Sequence, residues 1–392
     1  MKYKIINRKK LIATATADMM GGLLHAPFDL FKRQKEIDPK QISTILVVRT
    51  AYIGDAIMTL PMLKPLRDGF PNVKVTFLTS RAAAAALQTN PYIDDIITYD
   101  PFWFYGANNK GTNGKGKKGY FTFMRELRKR KFDLVIEARG DIREILLLVK
   151  PLDARYKVSY GVGGGGFLLT HVVPYAGLKH KVEYHLDIAR YLGCPVDDCQ
   201  WGIYLTKEEN ANTRKLLRDN DIKRPFAAVH PGARIPLKQW QLQRYAALYD
   251  RIETELGIRT VITASDKDTD YVKDILRLMR TRPVDLTGKL TLRELAGVLG
   301  SSRFFVSNDS APMHIAASMG VPVAAVFGPS KSIETAPYGT LHRVIEKDFP
   351  CRYTCDENSC RHTRFHACME AIEVDDAMSA IKDLIKEINV QI

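Results

Sequence analysis

Short apolar runs alternate with helical segments along most of the chain, and this alternation restricts the fold more than any other feature. The runs rich in β-branched residues are 44–50, 73–80, 94–100, 132–139, 226–232, 259–265, 284–288, 303–309 and 323–329. Between them lie amphipathic stretches such as 56–70, where large apolar residues recur every three or four positions. The pattern predicts an α/β protein with parallel sheets covered by helices on both faces.

The apolar runs are about twice as many as one nucleotide-binding sheet requires, so the 392-residue chain is predicted to form two doubly wound domains. The break is expected within 192–209, where a proline, two aspartates and a helix-starting Thr-Lys-Glu-Glu separate two sets of runs. We expect an N-terminal extension over 1–40, a first domain over 41–195 and a second over 196–392. The helical pattern of 374–390 either closes the second domain or crosses back to the first.

The chain carries a formal net charge of +14. This surplus predicts an anionic partner, which can be nucleic acid, a phosphorylated ligand or a membrane surface. The N-terminal stretch 1–28 starts with basic residues, but Thr14, Thr16 and Asp18 interrupt its apolar run. We interpret it as a retained segment that does not span a bilayer. It is expected to pack on the body as a helix, with a membrane interface as the alternative.

Two glycine-rich segments are predicted to be loops. Residues 105–120, rich in Gly, Asn and Lys, form either a mobile, solvated basic insertion or a clamp on an anionic acceptor. Residues 161–166 have the form G-x-G-x-x-G, but 170–174 favour extended chain where a dinucleotide site needs a helix. A dehydrogenase is therefore disfavoured.

Four cysteines crowd into the segment 351–368 with the spacing C-x3-C-x4-C-x7-C, namely Cys351, Cys355, Cys360 and Cys368. The spacing lacks the close C-x2-C pairs that are typical of zinc sites. The cluster is either a structural metal site or a set of buried or redox-labile thiols. The cysteine content of a chain of this length is typical of a reducing cytoplasm.

The segment 304–330 suits anion binding. Its apolar strand is followed by Asn308, Asp309 and Ser310, each able to cap the next helix. The helix N-terminus then lies at the C-terminal edge of a strand, where ligands bind in open α/β sheets and where a phosphate is favoured. His314, one turn further on, is expected to face the same place. The alternative is a capped helix with a packed histidine.

Residues 229–240 repeat this geometry near the start of the second half. Gly232 and Ala233 leave the backbone accessible to a phosphate, and Arg234 and Lys238 supply positive charge. Charges beside a surface loop are also common without any ligand. Two turns suited to anions in one sheet support each other.

Asp55 stands at the joint between the first predicted strand, 44–50, and the segment 56–70. It can cap the helix that follows. Because it also lies at the C-terminal edge of a strand, it can remove a proton from a hydroxyl nucleophile. The local sequence leaves both roles open. Basic residues of the same half are candidate contacts to an anionic acceptor or simply solvated charges: Lys64, Arg67, Arg139 and Arg143.

Together these stretches resemble the lipopolysaccharide heptosyltransferases of glycosyltransferase family 9. The resemblance covers roughly 43–390 and rests on ordered motifs: ILVVRTAYIGDAIMTLPMLKPLRDGFP, FDLVIEARGDIRE, HPGARIPLKQW, VSNDSAPMHIAASMGVPVAAVFGPS and the Cys-rich PCRYTCDENSCRHTRFHACMEAI. The sequence departs from the family pattern at Ala311, where a glycine is usual, and at Gln241, where a proline is common.

The resemblance implies a GT-B fold, in which two Rossmann-like doubly wound domains face a cleft, with the acceptor in the first and the nucleotide-sugar in the second. It implies inverting transfer from ADP-heptose to an inner-core sugar of an anionic lipopolysaccharide-type glycolipid. The reaction would take place in the cytoplasm, at the cytoplasmic face of the inner membrane, with peripheral membrane contact and with no cofactor or catalytic metal required.

The resemblance also assigns roles to residues. Asp55 would be the general base, and Lys238 would neutralise the departing diphosphate. Asp309 is assigned to capping or to sugar hydroxyls, because a carboxylate repels phosphate. The full set expected to bind the donor is Gly232, Ala233, Lys238, Asp309, Ser310, Ala311 and His314.

Two other functions remain as alternatives. A GT-B epimerase would act on the nucleotide-sugar alone and would turn over without an acceptor. A nucleic-acid-binding protein would use the basic surface, but the sequence has no clear recognition motif and no interleaving of aromatic and basic residues. We therefore expect a glycosyltransferase with no nucleic-acid partner.

Overall fold

The computed structural model describes residues 8–29, 36–105, 116–223, 225–353, 355, 359–360 and 362–390. The chain divides into two compact units, Met1–Trp201 and Gly202–Ile392. The division falls inside the segment 192–209. Each unit holds one six-stranded sheet, and every strand pair in both sheets is parallel.

The first unit forms a sheet in the order β3-β2-β1-β4-β5-β6. Its strands are β1 (Thr44–Arg49), β2 (Lys74–Thr79), β3 (Asp95–Thr98), β4 (Leu134–Glu137), β5 (Tyr156–Tyr160) and β6 (His171–Val173). Its helices are α1 (Arg8–Asp29), α2 (Ile53–Ile57), α3 (Leu63–Gly69), α4 (Arg81–Leu87), α5 (Phe102–Tyr105), α6 (Gly116–Lys129), α7 (Ile142–Glu144) and α8 (Lys181–Tyr191). A π-helical turn, Ile145–Val149, continues α7.

The second unit repeats this topology in the order β12-β11-β10-β7-β8-β9. Its strands are β7 (Phe226–His230), β8 (Arg259–Ile262), β9 (Val284–Asp285), β10 (Phe304–Asn308), β11 (Val323–Val326) and β12 (His342–Ile345). Its helices are α9 (Lys207–Asp219), α10 (Leu242–Leu256), α11 (Thr269–Leu278), α12 (Leu292–Ser301), α13 (Ala311–Ser318), α14 (Ser332–Thr335), α15 (Ala367–Glu370) and α16 (Val374–Val390).

Both sheets are doubly wound, and their strand order reverses between β1 and β4 in the first unit and between β7 and β10 in the second. In such sheets a crevice for ligands opens at the carboxyl ends of the strands, at the point of reversal. The central strands β4, β7, β10 and β11 are buried along their whole length. Strands covered on both faces carry continuous apolar runs, and each of the nine runs in the sequence contains a strand.

The segment 56–70 is not a single helix, contrary to the prediction. α2 ends at Ile57, a 3-10 turn follows over Leu60–Met62, and α3 begins at Leu63. Pro61 stands inside the 3-10 turn, and it has no backbone N–H to continue an α-helix. The apolar residues that gave the helical pattern are nevertheless all buried: Ile57, Leu60, Leu63, Leu66 and Phe70.

The glycine-rich segment 161–166 joins β5 to β6, so extended chain follows it as expected. A Cβ at Gly163 would lie 2.2 Å from the carbonyl oxygen of Gly140. Gly164 and Gly165 have φ angles of +91° and +81°, which L-residues with side chains rarely adopt. Close backbone packing and two left-handed positions therefore account for these glycines.

The structure describes only the two ends of the predicted basic loop, 105–120. Positions 106–115 lie outside the described residues, and 116–120 form the first part of α6. Met124 and Leu127 on the same helix are buried, so α6 has an apolar face that starts beyond the Gly- and Lys-rich stretch.

At the other end of the chain, α16 spans 374–390 as predicted and packs on β11, β12 and α10 of the second unit. None of the helices in the described ranges combines the length and apolar composition needed to cross a membrane.

Candidate functional site

Asp55 lies at the point of strand reversal in the first unit, in the first turn of α2. It is not the helix cap, because the N-cap position belongs to Tyr52 and shows no side-chain cap hydrogen bond. The Asp55 carboxylate instead forms ion pairs through Oδ1, 2.8 Å from Arg49 Nη2 and 3.3 Å from Lys181 Nζ. The capping interpretation is therefore wrong. The side chain of Asp55 is mostly buried, with 14% of it exposed.

Two opposing effects set the charge of Asp55. Burial alone would raise the pKa of this carboxyl, but the positive charges of Lys181, Arg49 and Arg139 lower the pKa well below its usual range. Asp55 is thus ionised throughout the physiological pH range. Three cations around one carboxylate also leave a surplus of positive charge at this end of the sheet.

Arg49 is the last residue of β1 and is 3% exposed. Its Nη2 pairs with Asp55, whereas its Nε and Nη1 are buried and find no hydrogen-bond partner among the described residues. A buried guanidinium with one ion pair is costly unless its partner stays ionised. The depressed pKa of Asp55 meets that condition, so the two residues hold each other in place.

A pair of buried carboxyl groups, Glu137 and Glu144, lies beneath these residues. Glu137 accepts hydrogen bonds from Ser159 Oγ at 2.6 Å and Gly140 N at 2.6 Å, and Glu144 accepts one from Thr50 N at 3.2 Å. Burial and the neighbouring Glu144 raise the pKa of Glu137. The pair therefore ties together the carboxyl ends of β1, β4 and β5.

His185 fixes α8 against the same edge. Its Nδ1 lies 2.8 Å from the carbonyl oxygen of Met58, and its Nε2 lies 3.0 Å from that of Ala138. Burial and the charge of Arg49 lower the pKa of His185 to about 3. Because Lys181 is the first residue of α8, this contact helps to position Lys181 beside the carboxylate.

Arg139 follows β4 and lies over the ring of Phe104, with 4.7 Å between the guanidinium carbon and the ring centroid. Arg143 lies over the same ring at 4.6 Å and pairs in a bidentate manner with Asp141, at 2.9 and 2.6 Å. Such cation–π contacts fix the planes of both guanidinium groups. The structure thus brings Arg139 to the Asp55 region, whereas the charge of Arg143 is largely matched by Asp141.

The structure does not bring Lys64 and Arg67 to this site. Arg67 on α3 contacts Asp94 at 2.5 Å and also the carbonyl oxygen of Val73, both of which precede strands. It therefore lies at the amino ends of the strands, the edge opposite to Asp55. Lys64 pairs with Asp68 at 2.6 Å and with Asp198 at 3.2 Å. Local acidic residues account for both charges.

In the second unit, Lys238 and Asp309 meet at the corresponding point of strand reversal. Lys238 ends a 3-10 turn after β7, Asp309 follows β10, and Lys238 Nζ lies 2.7 Å from Asp309 Oδ2. Their side chains are only 13% and 7% exposed. Burial raises the pKa of Asp309, but Lys238 and then His314 lower it to a value below the usual range. The pair is therefore ionic.

The predicted cap of α13 has to be corrected. Its N-cap residue is Ser310, which makes no side-chain cap hydrogen bond, and Asp309 is engaged with Lys238. Ser310 Oγ is buried with no hydrogen-bond partner among the described residues. The helix begins at Ala311, and the Ser310 side chain does not cap it. Pro312 has no N–H, and Met313 N donates to the carbonyl oxygen of Ser310 at 3.1 Å. The Ala311 N–H and the Ser310 hydroxyl are therefore the donors left for an anionic or hydroxylated ligand.

The turn after β7 is held close to β10. Asn308 Nδ2 donates to the carbonyl oxygen of Pro231 at 2.8 Å, and its Oδ1 accepts from the hydroxyl of Tyr245. A Cβ at Gly232 would lie 2.8 Å from the Asp268 carboxylate, so this position has no room for a side chain. Ala233 accepts through its carbonyl oxygen a hydrogen bond from the side chain of a neighbouring glutamine. His314, 6% exposed on α13, lowers the pKa of Asp309 electrostatically.

The Cys-rich segment packs behind the Lys238 turn. His366 Nε2 lies 2.7 Å from the carbonyl oxygen of Leu237. One cavity of about 30 Å³ is lined by all four cysteines of the segment, together with Leu237, Pro329, Arg352, His362, His366 and Ala367. Burial raises the pKa of the Cys368 thiol to about 11. Within the described ranges no group of three or more Cys, His, Asp or Glu side chains is arranged to hold a metal ion. The structural metal site at Cys351, Cys355, Cys360 and Cys368 stays a prediction of the sequence.

The sequence interpretation missed two residues of the first site, Arg49 and Lys181. Arg49 had a usable signal, because a charge at the end of an otherwise apolar strand needs a buried partner. Lys181 had none, since it lies 126 positions from Asp55 and begins an ordinary helix.

Two doubly wound parallel units in one chain, with a buried carboxylate at one reversal point and a lysine beside an uncapped helix at the other, are typical of GT-B glycosyltransferases. The sequence model of a protein family, glycosyltransferase family 9 (heptosyltransferase), matches residues 120–364 of this chain. The chain therefore belongs to glycosyltransferase family 9.

Individual relatives agree with this assignment. Lipopolysaccharide heptosyltransferase 3 of Escherichia coli K12 is 28% identical over 354 residues, which cover 86% of this chain and 96% of the relative. A family 9 glycosyltransferase from Veillonella parvula superposes with a TM-score of 0.75 at 23% identity, covering 90% of this chain and 99% of that one. The E. coli ADP-heptose lps heptosyltransferase II superposes with a TM-score of 0.68 at 19% identity, covering 88% and 99%. These matches favour a glycosyltransferase over the epimerase and nucleic-acid-binding alternatives.

Proposed function

We propose that the protein transfers a heptose from ADP-heptose to an inner-core sugar of lipopolysaccharide or a related anionic glycolipid, with inversion at the anomeric carbon. The single observation that carries the proposal is the ionised Asp55 carboxylate, held by Arg49 and Lys181 at the strand reversal of a family 9 chain. The similarity to a lipopolysaccharide heptosyltransferase and to an ADP-heptose lps heptosyltransferase supports the donor and the acceptor class.

Asp55 acts as the general base. It takes the proton of an acceptor hydroxyl while that oxygen forms a bond to the anomeric carbon and the bond from this carbon to the ADP oxygen breaks. The ion pairs of Asp55 with Arg49 and Lys181 both use Oδ1, so Oδ2 is the oxygen we assign to the proton. The low pKa keeps the carboxylate ionised, and neutralisation of the surrounding cations by an anionic acceptor would make Asp55 a stronger base.

Lys238 neutralises the diphosphate of the departing ADP. Before the donor binds, its charge is matched by Asp309 at 2.7 Å. A diphosphate that approaches the N-terminus of α13 offers Lys238 a second anionic partner, while Asp309 becomes available to the hydroxyls of the sugar or ribose. The Ala311 N–H and the Ser310 hydroxyl at the start of α13, together with the turn at Gly232 and Ala233, contact the phosphates.

The surplus of positive charge near Asp55 favours an anionic acceptor. Arg139 and Lys181 are partly exposed, at 33% and 34% of their side chains, and are the cations that we assign to phosphates or carboxylates of the acceptor. Arg143 supports Arg139 through the shared ring of Phe104. We further propose that the reaction takes place in the cytoplasm, at the inner membrane surface where a glycolipid acceptor resides, and that it needs no cofactor.

The proposal is tested by incubating the protein with a panel of nucleotide-sugars and a deep-core lipopolysaccharide that lacks the terminal heptose. We expect release of ADP from ADP-heptose and an acceptor mass increased by one heptose, with UDP-sugars inactive. Nucleotide release without acceptor would indicate a different reaction. An acceptor left unmodified by ADP-heptose but extended from another donor would overturn the donor assignment and leave the family unchanged.

A further inference from the structure

One face of the N-terminal helix α1 is anchored to the first unit. Asp18 Oδ1 accepts a hydrogen bond of 2.7 Å from the backbone N–H of Gly165 in the glycine-rich turn. Gly21 packs so closely on Phe167 that a Cβ there would lie 2.3 Å from the ring. Residues 18 and 21 are three positions apart and so share a face of the helix. The contacts fix which side of α1 points away from the protein.

The opposite side of α1 carries a stripe of large apolar side chains in water, which we call the apolar stripe. Its members are Ile12 (58% exposed), Met19 (63%), Met20 (58%) and Leu23 (69%). Met19, Met20 and Leu23 follow Ile12 by seven, eight and eleven positions, which is the spacing of one helical face. Single exposed apolar residues are common, but a contiguous stripe on one helix marks an interaction surface.

The charges of α1 match an anionic partner. The helix begins Arg-Lys-Lys, and Lys2 and Lys4 precede it in the sequence. The acidic residues of the helix are Asp18, which is bound to the glycine-rich turn, and Asp29 at its last position. A helix with an apolar face, basic residues at its start and no span-length apolar run is suited to lie in the plane of a membrane interface.

We propose that the apolar stripe of α1 inserts into the interfacial region of a bilayer rich in anionic lipids, with the exposed Arg8 at the start of the helix facing the lipid phosphates. This inference deepens the membrane contact suggested under the proposed function and rests on it only for the choice of a lipid surface. Because α1 is anchored on the glycine-rich turn next to β5, the helix fixes the orientation of the first unit on that surface.

The test measures binding of the full-length chain to phosphatidylcholine vesicles and to phosphatidylcholine–phosphatidylglycerol vesicles by flotation. The triple variant I12Q/M19Q/L23Q replaces three of the four side chains of the apolar stripe with glutamine, a residue that favours helices. We expect its partition onto anionic vesicles to fall by about tenfold or more, with an unchanged circular dichroism spectrum. Wild-type binding should be much weaker on phosphatidylcholine alone.

The matched control is L278Q/I333Q/V390Q, which removes three exposed apolar side chains of the second unit and should bind vesicles like the wild type. A second variant, R8Q/K9Q/K10Q, leaves the apolar stripe intact. It should weaken binding to anionic vesicles but not binding to phosphatidylcholine vesicles. Wild-type protein that fails to bind anionic vesicles would overturn the inference, as would a stripe variant that binds normally.

A stripe variant that loses a dimer in analytical ultracentrifugation while still binding vesicles would overturn the inference in favour of self-association. Transfer to a water-soluble, delipidated acceptor reports the proposed reaction separately, and we expect I12Q/M19Q/L23Q to retain it. Failure of vesicle binding and failure of catalysis are thereby distinguished.

Discussion

Asp309→Asn tests the ion pair of the second unit and its link to the donor. In the wild type, Lys238 Nζ lies 2.7 Å from Asp309 Oδ2, and the two side chains are 13% and 7% exposed. Breaking a buried pair while leaving one charge behind costs about 3–5 kcal/mol. Since Asn can still accept a hydrogen bond from Lys238, we expect the lower end, about 3 kcal/mol. For a unit of this size that lowers Tm by about 6–12 °C.

ADP should restore much of this loss, because its diphosphate supplies the anionic partner that Lys238 lacks in the variant. Any ligand that binds the folded state stabilises it, by about 2.7 kcal/mol at a hundred times its Kd. In differential scanning calorimetry, ADP should therefore raise the Tm of Asp309→Asn more than that of the wild type. The control Asp219→Asn makes the same change in the exposed pair with Lys215, and its Tm should shift by less than about 2 °C. An Asp309→Asn protein with wild-type Tm and a wild-type response to ADP would refute the reasoning.

Three further changes test other parts of the structure. Arg49→Met removes a cation that lowers the pKa of Asp55, so the Asp55 carboxyl resonance in NMR should titrate at higher pH in the variant than in the wild type. Glu209→Gln breaks the contact with Arg293 that lowers the pKa of Glu209 to about 2; stability should fall by about 1–2 kcal/mol in urea titrations at neutral pH. Because that folded pKa is depressed, the contribution is full above about 4.5 and is lost as pH falls towards 2, so wild type and variant should converge in acid. Gly163→Ala places a methyl 2.2 Å from a carbonyl oxygen and should lower the urea midpoint by the equivalent of about 2 kcal/mol.

Most of the strands that could be predicted are buried along most of their length, and such strands are continuous apolar runs. The partly exposed β3 and β9 were predicted from their β-branched residues. β5 escaped prediction since it alternates apolar residues with Lys157 and Ser159, and the Ser159 hydroxyl is buried through its bond to Glu137. β12 is an edge strand with polar residues at its first two positions. The single proline at position 61 was enough to divide a helix whose apolar periodicity continued through it.

Part of the candidate site could be predicted from the sequence, but its pairings could not. Asp309 directly follows β10, while Asp55 and Lys238 lie in the segments that come next after β1 and β7, which is where doubly wound sheets present ligand-binding side chains. The contact between Lys238 and Asp309 joins residues 71 positions apart, and that between Lys181 and Asp55 joins residues 126 apart. Local sequence therefore predicts that each carboxylate caps a helix, whereas in the folded structure each carboxylate forms an ion pair with a cation.

The central claim is that Asp55 removes the proton of the acceptor hydroxyl, and the most direct measurement is the kcat of Asp55→Asn for transfer from ADP-heptose. Loss of a general base lowers the rate by about 10² to 10⁴, so we expect a decrease in that range, while the Kd for ADP-heptose stays within about threefold because the donor residues lie in the other unit. A variant that binds the donor normally and retains wild-type turnover would contradict the account and leave Asp55 as the structural partner of Arg49 and Lys181.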